Sequence, residues 1–183
     1  WRSELYVPST IIYRQPGDGD TTYVHRLDEV GPRAWLAHRV ETMPEAEMAA
    51  RLAEPGFDAQ QTVLVAGESP AVGRAGGGAE RVAVDVYRPN RIEVEVTAQA
   101  AGLLVLSEVD YPGWRATVDG QPARIVRVDS VLRGVPVGAG RRRVTLVFAP
   151  PTFWLGAAIS GLALLYCAAM IIFRFRRMWS PSG

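Results

Sequence analysis

Between Val144 and Phe173 the chain carries no charged residue. Its most apolar part, Phe153 to Phe173, is 21 residues long, and at about 1.5 Å per helical residue that length matches the roughly 30 Å hydrocarbon core of a bilayer. The run "WLGAAISGLALLYCAAMIIF" is apolar on every face, without the polar stripe of a helix lying on a soluble core. It predicts a transmembrane helix over 151–175. Phe153 and Trp154 at one end, and Trp179 at the other, suit the two aromatic belts of a membrane. Arg174, Arg176 and Arg177 follow the span at once and place that end in the cytoplasm, with 176–183 as a cytoplasmic tail and the bulk of the chain outside. Membrane lipid is therefore an expected partner. Small residues four apart, Gly156 with Ser160 and Ala157 with Gly161, would let other helices pack closely.

The remaining residues suffice for one domain, or one with an appendage, within a chain of 183. A formal net charge of +1, with the arginines interleaved among acids, supplies no field to collect nucleic acid, and none is expected as a partner. Cys167 is the single cysteine, so no internal disulfide and no thiolate metal site is expected. The chain opens at Trp1 with neither methionine nor a signal-peptide pattern, and reads as the C-terminal part of something longer.

The segment before the span is patterned as β. "RIEVEVTA" (91–98) alternates charged and apolar residues at period two, and "LLVLSEV" (103–109) is its expected antiparallel partner. "WRATV" and "ARIVRV" flank Asp119-Gly120, a dipeptide suited to a two-residue hairpin; "LRGVPV" and "RRVTLVF" flank the glycine turn 138–140. Such short strands between turn signals predict an antiparallel β-sandwich or jelly roll over 79–150. The N-terminal portion, 1–78, reads as α+β. "LYVPSTIIYR", "TTYVHRL" and "RAWLAHRVE" (33–41) look like strands, with a turn at "QPGDGD", and "TVLV" (62–65) returns to the sheet. Thr42 and Glu45 have capping-box spacing, predicting a helix from about Met43 to Ala53 before Pro55-Gly56. The fold class is mainly β (α+β), one extracytoplasmic domain followed by one C-terminal transmembrane helix.

No complete catalytic constellation is legible. His25 and His38 lie thirteen positions apart without metal-ligand spacing, and no nucleophile elbow occurs. The glycines of "GESPAVGRAGGGA" (67–79) lack the ending of a phosphate loop. Asp110, Asp119 and Asp129 form no evident set, since turns attract aspartate. Neither metal nor cofactor is expected in this chain. The densest stretch is "DYPGWRATVDGQPARI" (110–125), in which Pro112-Gly113 breaks one strand and Trp114 starts the next. Trp114 is then either a core anchor beneath a corner, the simpler account, or an edge residue that stacks with Tyr111 on a sugar while Asp110 or Arg115 bonds its hydroxyls. Asp110, Tyr111, Trp114 and Arg115 are accordingly the candidate glycan contacts.

"PRAWLAHRVE" (32–41), "YRPNRIEVEVTA" (87–98), "GLLVLSEVDYPGWRATVDGQPARI" (102–125) and "GVPVGAGRRRVTLVFAP" (134–150), leading into a terminal span, resemble the C-terminal region of the bacterial YfhO family over about residues 20–175. Members are large multi-pass membrane proteins similar to GT-C glycosyltransferases, which take sugars from polyprenyl-phosphate carriers outside the membrane. The resemblance implies a lipid-linked sugar donor for the full-length protein, and a glycan or glycolipid acceptor of the cell envelope. It implies the other spans of the same chain as partners of this one. The acidic catalytic residue of that class lies in an early outer loop, so no residue of this chain receives a catalytic role. The rival expectation is a membrane-anchored β-sandwich module that binds glycan or protein without chemistry.

Overall fold

The computed structural model describes residues 9–17, 21–28, 30–74 and 79–178. The chain divides at Arg33 into two units. In the first, β1 (Ser9–Pro16) and β2 (Thr21–Leu27) form an antiparallel hairpin with a bulge between Ile11 and Tyr13. Residues 5–8 of the expected first strand and 18–20 of the expected turn lie outside the described residues.

The second unit holds two sheets and two helices. In the first sheet, β6 (Arg81–Arg88) and β7 (Arg91–Ala98) form a hairpin, β13 (Gly140–Phe148) pairs with β7, β9 (Trp114–Val118) with β13, and β10 (Gln121–Ala123) with β9. The β9–β10 loop is Asp119-Gly120, with φ of 51° and 81°, the two positive values that a primed hairpin turn requires. The second sheet runs in the order β3 (Ala34–Ala37), β8 (Gly102–Val109), β12 (Leu132–Val137), β11 (Val126–Val128), β5 (Thr62–Val65) and β4 (Arg39–Thr42). Facing residues of both sheets make one core: Ile92, Val94 and Val96 of β7 and Val144 and Leu146 of β13 meet Leu104 and Leu106 of β8 and Val135 and Val137 of β12. A second core on the other face of β8 gathers Leu103, Val105, Val63, Val65, Val126 and Val128. With both faces covered, β8 is a continuous apolar run instead of an alternating one.

Four expectations about the strands change. "LLVLSEV" does not pair with "RIEVEVTA": β7 and β8 belong to opposite sheets, because the apolar side chains on both faces of β8 need a sheet position with cover on each side. The glycine turn 138–140 likewise joins strands of different sheets, and "ARIVRV" breaks at Arg124-Ile125 so that β10 and β11 do too. "RAWLAHRVE" is two strands: β3 and β4, consecutive apart from His38, stand at opposite ends of the six-strand order. The sheet therefore curls until its two edges are joined end to end by one residue. His38 fixes that seam, its Nδ1 lying 3.1 Å from the Gly73 carbonyl oxygen and its Nε2 2.9 Å from a Glu80 carboxylate oxygen.

Helix α1 (Glu45–Leu52) carries the chain from β4 to the parallel β5. The expected capping box does not form. Pro44, with ψ 139°, holds the N-cap position without a side-chain bond, and the helix starts two residues later than the spacing suggested. Met48 is its buried anchor. Helix α2 (Pro151–Met178) leaves the end of β13 after Ala149 and Pro150. Its window Leu155–Ile172 has a mean hydropathy of 2.2 with no part buried, long and apolar enough to cross a membrane. It runs on past 175, so Arg174, Arg176 and Arg177 are helical, as are Phe153 and Trp154 at its start. Trp179 lies outside the described residues.

Candidate functional site

The end of the sandwich from which α2 departs is bordered by three chain segments. The Pro89-Asn90 turn receives the Phe148 N–H on its Asn90 carbonyl at 2.9 Å, and the Gly113 carbonyl receives the Ala149 N–H at 2.8 Å. Gly113 has φ +112°, and a Cβ built on it would stand 2.6 Å from Phe148 Cε2. The corner "YPGW" thus needs glycine for backbone conformation and for room at the ring. Tyr111, Trp114 and Phe148 then cluster, with Phe148 5.5 Å from each of the other two ring centroids and Tyr111 edge-on to Trp114 at 6.4 Å.

Over the Trp114 ring lies a residue that composition did not single out. The Arg133 guanidinium carbon is 4.2 Å from the ring centroid, and the residue is only 1% exposed. Strand alternation explains its place: position 133 shares a face with Val135 and Val137, which point between the sheets. An arginine there must run toward the open end of the sandwich to find any polar neighbour. Its Nη2 reaches to 3.7 Å from a Glu108 carboxylate oxygen, beyond hydrogen-bonding distance, while Nε and Nη1 are buried without an acceptor. The Trp114 Nε1 is buried without one as well. Burial pushes the guanidinium below its ordinary value, opposed by the charge of Glu108 and by Tyr111, Asp110 and Tyr87. Tyr87 donates its hydroxyl to Glu108. These groups line a cavity of about 340 Å³, in the lower range of ligand pockets, with Tyr87 51% and Tyr111 45% exposed at its rim.

Of the four candidate glycan contacts, the structure brings Tyr111 and Trp114 together at this cavity and separates the other two. Asp110 accepts from Arg127 at 3.5 Å and lines a different hollow with Glu45 and Arg124. Arg115 sits on the opposite face of β9 from Trp114 and Ala116 and is exposed. Trp114 itself is half-buried, both a packing residue of the core and a wall of the cavity. Glu108, Tyr87 and Arg133 escaped the sequence reading. The last carried a legible signal, a charge on the inward face of the strand "LRGVPV". A roomier cavity of about 690 Å³ opens beside the His38 seam, but His38 and Glu80 are engaged there with each other and with the backbone. The unmatched donors mark the Arg133 cavity as the better candidate.

Residues 77–160 match the family model of the bacterial membrane protein YfhO, covering the five-stranded sheet, β8, β11, β12 and the start of α2, a narrower stretch than 20–175. No curated protein and no solved structure matches the chain.

Proposed function

With residues 77–160 belonging to the YfhO family, we propose that this chain forms the extracytoplasmic β domain and the last membrane span of a polytopic glycosyltransferase. The full protein takes a sugar from a polyprenyl-phosphate carrier and passes it to a glycan or glycolipid of the cell envelope. The catalytic residues lie elsewhere in the longer protein, and this domain shapes the acceptor side. The arginines that end α2 favour a cytoplasmic C-terminus and hence an outer sandwich.

One observation supports the acceptor role above the rest: the aromatic-rimmed cavity lies at the end of the sandwich where α2 begins, two residues beyond β13. A carrier or acceptor held at the bilayer surface would meet that end first. Tyr87 and Tyr111 offer ring faces, and Glu108 offers a carboxylate to hydroxyls. The test is sugar transfer by the full-length protein from a polyprenyl-phosphate sugar, comparing Tyr111→Ala and Tyr87→Ala with the parent. A raised KM for acceptor, with KM for donor and kcat unchanged, is expected. Absence of transfer, or acceptor kinetics indifferent to both tyrosines, would overturn the reading; glycan binding without transfer would favour an anchored binding module.

A further inference from the structure

The Arg133 cavity presents donors without acceptors. Arg133 Nε and Nη1 and Trp114 Nε1 are all buried and unmatched, and both side chains line the same hollow. Each of these N–H groups can donate to a phosphate oxygen, the two on the guanidinium as separate charge-assisted donors on different sides of the group. Position fixes the level of the hollow. Phe148 packs against Tyr111 and Trp114, two residues that line the hollow, and only Ala149 and Pro150 separate Phe148 from the first residue of α2. Two residues of extended chain reach about 7 Å, so a membrane-spanning α2 sets the cavity at the depth of lipid headgroups.

We infer that this cavity binds the phosphate of a membrane lipid headgroup, with the Arg133 guanidinium and the Trp114 indole N–H as donors. Glu108, 3.7 Å from the guanidinium, sets which phosphate fits: its negative charge disfavours a doubly charged monoester and leaves room for the single charge of a diester. Tyr87 and Tyr111 at the rim have the ring-plus-hydroxyl character of residues at a bilayer surface. Arg88, which also lines the hollow, adds a positive charge at its mouth. The inference rests on the reading of α2 as a membrane span and requires no transferase activity.

Native mass spectrometry of the full-length protein in detergent, titrated with phosphatidylglycerol, reads the site directly. Arg133→Met, which keeps bulk and removes the donors, should weaken the lipid adduct by roughly tenfold or more. Glu108→Gln, which removes the opposing charge and keeps an acceptor for Tyr87, should strengthen it. Because the two changes act in opposite directions, a fold lost in one variant leaves the other as a test. Adducts indifferent to both substitutions in folded protein would overturn the site. Inorganic phosphate alone, titrated in parallel, separates the sources: Arg133-dependent binding of free phosphate without a lipid adduct would overturn the lipid assignment. Sugar transfer measured on the same preparations keeps the two proposals apart, since transfer can persist without Arg133-dependent adducts and the adducts can persist without transfer.

Discussion

Truncating Trp114 to alanine removes the wall shared by the core and the cavity, and its cost can be worked from the contacts. A fully buried tryptophan lost to alanine costs about 3–5 kcal/mol. Trp114 is half-buried, which brings the packing part to about 2 kcal/mol. The Arg133 guanidinium at 4.2 Å from the centroid of this partly exposed ring adds about 1 kcal/mol as a cation–π contact. About 3 kcal/mol in a unit of this size corresponds to a fall in Tm of roughly 6–12 °C. Thermal denaturation of the detergent-solubilised protein by circular dichroism measures it. A double-mutant cycle with Arg133→Met isolates the stacking. Arg133→Met alone should be neutral or stabilising, because it replaces a buried charge with two unmatched donors by an apolar chain of similar size. Trp114→Ala should then cost less in that background, by about 1 kcal/mol. An unchanged Tm for Trp114→Ala, or strictly additive effects, would refute the arrangement of guanidinium on indole.

Other perturbations have equally direct expectations. Gly113→Ala should lower Tm well below that of Gly120→Ala, because a Cβ meets Phe148 at 2.6 Å in the first case and nothing within 4 Å in the second; equal melting would dissociate the corner from the ring. Burial pushes the Asp129 carboxyl above its ordinary value, against the Leu64 N–H bond. The stability tied to its protonated form is therefore complete below the unfolded value, about 3.9, and is lost as pH rises through the folded one. Asp129→Asn keeps the acceptor for Leu64 and tolerates the φ of 49°, so it should raise stability at pH 7 in urea titrations and bring no gain in acid. Leu164→Arg places a charge near the middle of α2 at a cost of about 2.5–3.5 kcal/mol for insertion, and should reduce the fraction resisting alkaline extraction from membranes.

The long apolar helix and the Asp119-Gly120 hairpin were legible because each rests on local chemistry: continuous hydropathy over a bilayer's length, and two adjacent residues that accept positive φ. Sheet membership was not. "RIEVEVTA" and "LLVLSEV" look like hairpin partners by spacing, yet "LLVL" is apolar at consecutive positions, the mark of a strand covered on both faces, and that was the clue to its central place in the other sheet. The break at His38 depends on contacts with Gly73 and Glu80, 35 and 42 residues away, which no local pattern encodes. In the same way, aromatic clustering near "YPGW" pointed to Tyr111 and Trp114, while their sequence neighbours Asp110 and Arg115 were drawn into the candidate set by proximity along the chain. Strand alternation sends Arg115 to the other face and brings Arg133, nineteen positions from Trp114, onto the ring.

Strand ends also determine what kind of site this can be. Tyr87 and Glu108 precede the last residues of β6 and β8, Trp114 opens β9, and Arg133 is the second residue of β12. Tyr87, Trp114 and Arg133 have partners in hydrogen-bonded ladders, Glu108 sits at the register shift between β8 and β12, and β8 is held by cover on both faces, so the sheets fix the inner walls while Tyr111 reaches the rim from the loop before β9. The strands that carry the donors are therefore set before a ligand arrives, and the side chains that cover the donors are what must move to admit it. The guanidinium, in contrast, makes the empty site costly, since a buried donor left unmatched destabilises the fold by about 1–3 kcal/mol. A rigid wall combined with an unmatched charge is an arrangement that occupancy stabilises. Protein purified with bound lipid should therefore melt higher than delipidated protein, and Arg133→Met should remove that difference while leaving the delipidated melting temperature equal or raised.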